Sequence, residues 1–230
     1  MIRRSHRHAA CAVAALCSLA GSPAWAGGGA HVVDDDAVET PGTCHLEIWG
    51  TRYGSRSGLA NLSPACTREA WPDLELGVAV QHTWDSKGHT IAGPALKLHL
   101  VSLGQNEGAA IDGSASFDTR TGHLEAASAI VPFTLPLGGK TSFSINLGYS
   151  YLRSSAERHS VFWGGQVETQ IGRDLTLMAE GFGRASGPAG AQTGLRWTPH
   201  DGAIDVDLLA GRYVDGVSPT AITIGLTIRR

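Results

Sequence analysis

Past residue 26 the sequence has no apolar run approaching the ~18 residues at which a helix begins to span a bilayer. Such a chain can enter a membrane only as strands. Charge is scarce too: Asp, Glu, Lys and Arg make up 17% of the chain. The 21 acids slightly outnumber the 18 Lys and Arg, so no basic surface for nucleic acid is present. Cysteine is nearly absent, and of the four, Cys11 and Cys17 fall in an opening export signal without the small-residue pattern of a lipid-modified cysteine. That leaves Cys44 and Cys66, which in an oxidising compartment read as a disulfide more readily than as a metal pair or a reactive thiol. What is abundant is glycine, 30 of 230 residues.

The opening residues follow the secretory order. Arg3, Arg4 and Arg7 precede an apolar stretch from Ala9 to Ala20, and Ala24-Trp25-Ala26 carries small residues at the two positions that decide cleavage. The apolar stretch is too short to cross a hydrocarbon core of ~30 Å. Residues 1–26 are therefore expected to be a cleaved signal peptide, residues 27–43 an extended periplasmic segment, and residues 44–230 a single domain.

From Asp73 onward apolar residues alternate with polar or small ones, the pattern of strands. Leu74, Leu76, Val78 and Val80 oppose Glu75, Gly77, Ala79 and Gln81. Phe143, Ile145, Leu147, Tyr149 and Tyr151 oppose Ser142, Ser144, Asn146, Gly148 and Ser150, and the last run sets Ile222, Ile224, Leu226 and Ile228 against Thr223, Gly225 and Thr227. Gly, Asn and Asp clusters such as Gly138-Gly139-Lys140 and His200-Asp201-Gly202 separate the runs and suit hairpins. Twelve strands are predicted, near 45–53, 58–68, 73–84, 89–103, 109–117, 123–134, 140–152, 159–171, 174–185, 190–198, 203–213 and 219–229. The faintest signal lies between residues 104 and 122. A first hairpin with its tip near Ser55 sets Cys44 opposite Cys66, where a disulfide would clasp its open end.

A soluble barrel also alternates, but its outer face must carry enough charge for solubility. Here the polar face is mild and the other is aliphatic and aromatic throughout, so the expected fold is an all-β, closed antiparallel transmembrane barrel with short loops, lipid outside and a polar lumen inside. Export plus such a barrel points to the outer membrane of a Gram-negative bacterium. Tyr149, Tyr151, Trp163, Trp197 and Tyr213 are candidates for an interfacial girdle, or else ordinary core aromatics. The candidate lumen lining is Glu75, Gln81, Lys97, His99, Asn146, Gln166, Glu168, Gln170, Gln192, Arg196, Asp205 and Asp207, weakly acidic in balance. Such a wall favours neutral polar or cationic solutes. Glu180 stays open, because Met178 and Phe182 share its face.

The opening Val33-Asp34-Asp35-Asp36-Ala37, Thr40-Pro41-Gly42 and Leu46-Glu47, with Ala129 to Pro136, Asn146-Leu147-Gly148-Tyr149 and the stretch from Arg212 to Leu226, resembles the outer-membrane proteins named for the MetA pathway of phenol degradation. That resemblance implies a transporter-like barrel for small or hydrophobic, including aromatic, compounds. Two features depart from the pattern: the Cys44 and Cys66 pair, and the ending Ile228-Arg229-Arg230 in place of an aromatic residue.

Other chemistry is weakly signalled. His31, Asp34, Asp35 and Asp36 form either a hard-cation cluster or a solvated tail. Glu157-Arg158-His159-Ser160 is the one dense Ser-His-acid grouping, yet it sits at a turn and no G-x-S-x-G frame is present, so no enzyme, cofactor or metal site is expected. Three functions stand: a passive channel or transporter for small solutes, an accessory barrel with a filled interior, and a periplasmic lipocalin-like binder with Leu74, Leu76, Val78 and Val80 inside. The partners expected are outer-membrane lipid and a solute that the sequence does not name.

Overall fold

A computed structural model describes residues 30–54, 56–84, 88–104, 107–185 and 187–230. The signal peptide expected over residues 1–26, its expected cleavage site and residues 27–29 lie outside the described residues. Among the described residues twelve strands follow one another: β1 (Cys44–Tyr53), β2 (Ser57–Arg68), β3 (Trp71–Trp84), β4 (His89–Gly104), β5 (Glu107–Asp118), β6 (Leu124–Gly138), β7 (Thr141–Leu152), β8 (His159–Gln170), β9 (Leu175–Arg184), β10 (Gly190–Trp197), β11 (Ile204–Arg212) and β12 (Ala221–Arg229). Each pairs with the next, and β12 pairs with β1 from His45↔Arg229 to Tyr53↔Ala221, so the sheet closes as an antiparallel barrel. Closure leaves no strand edge unpaired. The first and last strands also meet at one end, where the Cys44 and Arg230 main chains exchange hydrogen bonds of 2.9 and 2.8 Å.

Alternation decides the faces. On β3, Leu76, Val78 and Val80 are 44%, 51% and 41% exposed while Glu75 is 9% exposed. These aliphatics point outward, which overturns the lipocalin-like reading that placed them inside. The cause is parity: Glu75 pairs with Lys97 across the β3–β4 ladder, and one-residue alternation turns their neighbours away from the polar interior. Trp71 and Trp197 stand on the outer face near the termini, and Trp84, Phe117, Tyr149 and Trp163 near the other end. Tyr151 shares their face, whereas Tyr213 lies in the β11–β12 loop at φ 52° under the Arg212 guanidinium and is not part of the strand girdle.

Between residues 104 and 122 the expected strand is β5, and the reason for its faint pattern is visible. Its ladder with β4 is irregular at His99/Val101 and again at Ser102/Gly104, so Leu98, Leu100, Val101 and Leu103 are all outward-exposed despite mixed parity. β6 runs to Gly138, beyond the expected end at Thr134, and turns on Gly138 and Gly139 at φ 98° and 61°. The two cysteines face each other in the β1–β2 ladder and are joined, with Cα atoms 4.0 Å apart.

Candidate functional site: a lumen crossed by the leading segment

The inner wall brings together most of the candidate lining. Glu75, Lys97, Asn146, Gln166, Gln192, Arg196, Asp205 and Asp207 are buried on it, and Gln81, His99 and Glu168 are half-buried. Gln170 is exposed at the end of β8, where its amide donates to the Arg173 carbonyl at 2.9 Å. Arg196 holds Asp207 at 2.8 Å, and Arg229 holds Asp205 at 2.7 Å.

What covers this wall is the chain itself. Residues 30–39 run from the Cys44 end into the barrel and across it, rather than lying beside it as an extended periplasmic segment. Glu39 meets Arg229 at 2.6 Å and His45 at 3.3 Å. Asp34 and Asp35 lie 3.0 and 3.4 Å from the Lys97 ammonium, and Asp36 lies 3.5 Å from His99. His31 sits between Glu180 at 3.4 Å and Asp207 at 3.6 Å. The acidic run is therefore neither a solvated tail nor a cation cluster: its carboxylates answer cations of the wall. Among the described residues no three His, Cys, Asp or Glu side chains stand together as a metal-holding group.

The wall also grips the segment's main chain. The Val33 amide donates to Glu180 at 2.7 Å, and the Val32 amide to the same carboxylate at 3.2 Å. Asn146 accepts from the Asp34 amide at 2.9 Å and donates to the Asp34 carbonyl at 2.7 Å. Thr134 accepts from the Asp36 amide at 3.1 Å, Glu75 from the Glu39 amide at 3.0 Å, and Gln192 donates to the Ala30 carbonyl at 3.1 Å. Close approach is possible because the wall carries glycine where the segment touches it. A Cβ at Gly164 would lie 2.7 Å from a Val33 methyl, one at Gly225 would lie 3.2 Å from the Ala30 Cβ, and one at Gly108 would collide with the Asp36 carboxylate.

His31 stands on this segment and on no strand. Burial alone would keep its ring neutral, but the Asp207 and Glu180 carboxylates outweigh burial and the repulsion of Arg196, pushing it up to about 9. On the same segment, burial would raise the Glu39 carboxyl, and His45 and Arg229 reverse that and hold it below its ordinary value.

Away from the segment the inner wall stays accessible. Ser114, on the inner face two residues past Asp112, is exposed and meets Ser128 at 2.7 Å, and half-buried Ser150 accepts from Arg184 at 3.0 Å. Gln81 belongs to this part of the wall. The Glu157-Arg158-His159-Ser160 grouping does not form a triad: His159 bonds the Tyr149 hydroxyl on the outer face, while Ser160 is half-buried and donates to the Val161 carbonyl at 3.4 Å.

Sequence reasoning missed the partners of the segment: Thr134, Glu180, His45, Arg229 and the three glycines. Glu180 was ambiguous because Met178 and Phe182 flank it, and all three are buried on the inner side. The alternating Asp205, Asp207 and Leu209 pattern on β11 shows the same mixture of inward carboxylates with an inward apolar residue.

These features define a twelve-stranded antiparallel barrel with an apolar outer belt and a polar interior. The chain belongs to the family described as uncharacterised conserved protein UCP029691, whose model matches residues 15–230. No match is found among curated proteins. Among solved structures the fold is similar to a KdgM porin in complex with disordered oligogalacturonate, at TM-score 0.64 and 8% identity over 80% of this chain and 98% of the other. It is similar to the NanC porin at TM-score 0.58 and 13% identity over 80% and 98%, and to outer membrane phospholipase A from Escherichia coli, as its N156A active site mutant, at TM-score 0.52 and 12% identity over 82% and 91%. At such identities the likeness establishes the fold. The family match and the similar structures support a barrel family and do not carry the MetA-pathway name; Val33 to Ala37, one of the stretches behind that resemblance, is an acidic run that pairs with wall cations here.

Proposed function

We propose that this barrel stands in the outer membrane of a Gram-negative cell and passes small polar solutes, with residues 30–39 holding it in a closed state. The observation that carries this reading is the pairing of an aliphatic outer belt with a wall of carboxylates, amides and hydroxyls that is accessible beyond the segment. Charged and amide groups on that wall do not favour the hydrophobic or aromatic cargo that the MetA resemblance implied, since an apolar solute would have to desolvate them. Glu75, Asp112, Glu168, Glu180, Asp205 and Asp207 face Lys97, Arg184, Arg196 and Arg229, so an opened passage prefers cations.

The test is current through the mature protein in planar bilayers, beside Val33→Asp, which sets a charge at a buried contact and undocks the segment. Wild type should be mostly silent, and the variant should conduct with a reversal potential of the cation-selective sign under a salt gradient. Silence from both, with heat-modifiable migration showing that each is folded, would favour the filled accessory barrel instead.

A further inference from the structure

The structure assigns the lumen as a binding site for an acidic oligopeptide, a site that residues 30–39 occupy in cis. This rests on the channel reading and deepens it by naming a ligand class. The argument lies in which atoms the wall touches. Glu180, Asn146, Thr134, Glu75 and Gln192 all bond main-chain groups of the segment, through the amides of Val32, Val33, Asp34, Asp36 and Glu39 and the carbonyls of Ala30 and Asp34. Asn146 takes both the amide and the carbonyl of one residue, the pairing that a neighbouring strand would offer. Main-chain groups are common to every peptide, so these contacts do not require this particular sequence.

Selectivity enters at fewer places. Lys97 receives two consecutive carboxylates, and Arg229 with His45 receives a third near the Cys44 end. Gly108, Gly164 and Gly225 leave room for a backbone to lie against the wall, and their contacts with the segment span strands on opposite sides of the barrel. The ligand defined by this wall is a peptide with acidic residues where Asp34, Asp35 and Glu39 now lie and a histidine where His31 meets Glu180 and Asp207. The tethered segment is present at high effective concentration, so a free peptide competes only when the segment is displaced.

The full mature chain carrying Asp34→Lys and Asp35→Lys places cations against Lys97 and expels the segment without altering the wall. A fluorescent peptide of the sequence of residues 30–39 should bind this refolded variant at least about tenfold more tightly than wild type, since wild type holds its own copy. Adding Asn146→Ala should weaken binding by about tenfold, the scale of a lost paired hydrogen bond in a buried site. The same peptide N-methylated at the positions of Val33 and Asp34 should bind as poorly, and a scrambled peptide that keeps the positions of His31, Val33 and the three acidic residues should bind nearly as well as the original.

Binding of the native peptide but not of the scrambled one would overturn the assignment and make the wall a dedicated latch for this chain. A variant that conducts in bilayers but binds no peptide sinks this inference and leaves the channel reading standing. A folded variant that does neither removes both. If the double lysine variant does not fold, Val33→Asp serves in its place with the same peptides and the same criteria.

Discussion

Gly164 and Gly165 are adjacent on β8, yet they face opposite sides and do different work. Gly164 meets Val33 on the inside; at Gly165 a Cβ would rest 3.5 Å from the Phe143 ring, an ordinary outer-face contact. Neither has a positive φ, so a side chain strains neither backbone. Gly164→Leu therefore acts first on the segment, since Val33 lies 2.7 Å from the added Cβ while Phe162 and Phe182 lie at 3.6 Å: overpacking a close contact costs about 1–3 kcal/mol, and the segment is the part free to move. Its bilayer current should rise several-fold over wild type, with Gly165→Ala unchanged. A Gly164→Leu barrel as silent as wild type would show that the Val33 contact does not hold the closure. Such contacts could not be read from the sequence, because a glycine on a strand signals several things at once, among them bulges, bends and close approaches.

At the scale of the element, the strands were legible and the segment was not. On β3 and β12 the alternation Leu74 to Val80 and Ile222 to Ile228 is unbroken, and a one-residue slip would invert every side chain, so pattern fixes face. On β4 and β5 two irregularities break the period, and the pattern fades where they fall. Residues 30–39 have no period of either kind, and their partners are distant in the chain: 148 residues separate Val32 from Glu180, and 62 separate Asp35 from Lys97. Individually, Asp34, Asp35 and Asp36 look like solvated acids; only closure of the barrel brings Lys97 and His99 against them. The docked segment also carries a pH signature. His31 has its affinity for protons raised by Asp207 and Glu180 against Arg196, so its contribution to docking is full below its ordinary value near 6.5 and is lost as pH rises through about 9. Glu39 is shifted the other way by His45 and Arg229, so its contribution is present above the ordinary carboxylate value and is lost on acidification. Bilayer current should thus be lowest near neutrality and rise toward both extremes. His31→Gln should abolish the alkaline rise while keeping the acid one; an alkaline rise that survives would assign it to another group.

For the whole molecule the question is what the outer face meets. Ile224 is 61% exposed at mid-strand on β12, opposite Leu208 of β11, which is also exposed, while Thr223 beside it on the inner face is 1% exposed. A free-standing soluble barrel with this belt would present a continuous apolar surface far beyond the few hundred Å² that soluble monomers tolerate. In a bilayer the same surface is the required one. Ile224→Lys then places a charge at mid-belt, at a cost of about 2–4 kcal/mol for a basic residue at the midplane. Val217→Lys, in the β11–β12 loop and 78% exposed, places the same charge outside the strands and serves as its control. Folding into lipid vesicles, followed by heat-modifiable migration, should give a sharply reduced folded fraction for Ile224→Lys and a wild-type fraction for Val217→Lys. In detergent micelles, which deform around a charge, the difference should narrow. Equal folding of both variants in vesicles would mean that this face of β12 does not meet lipid, and the outer-membrane reading would fall with it.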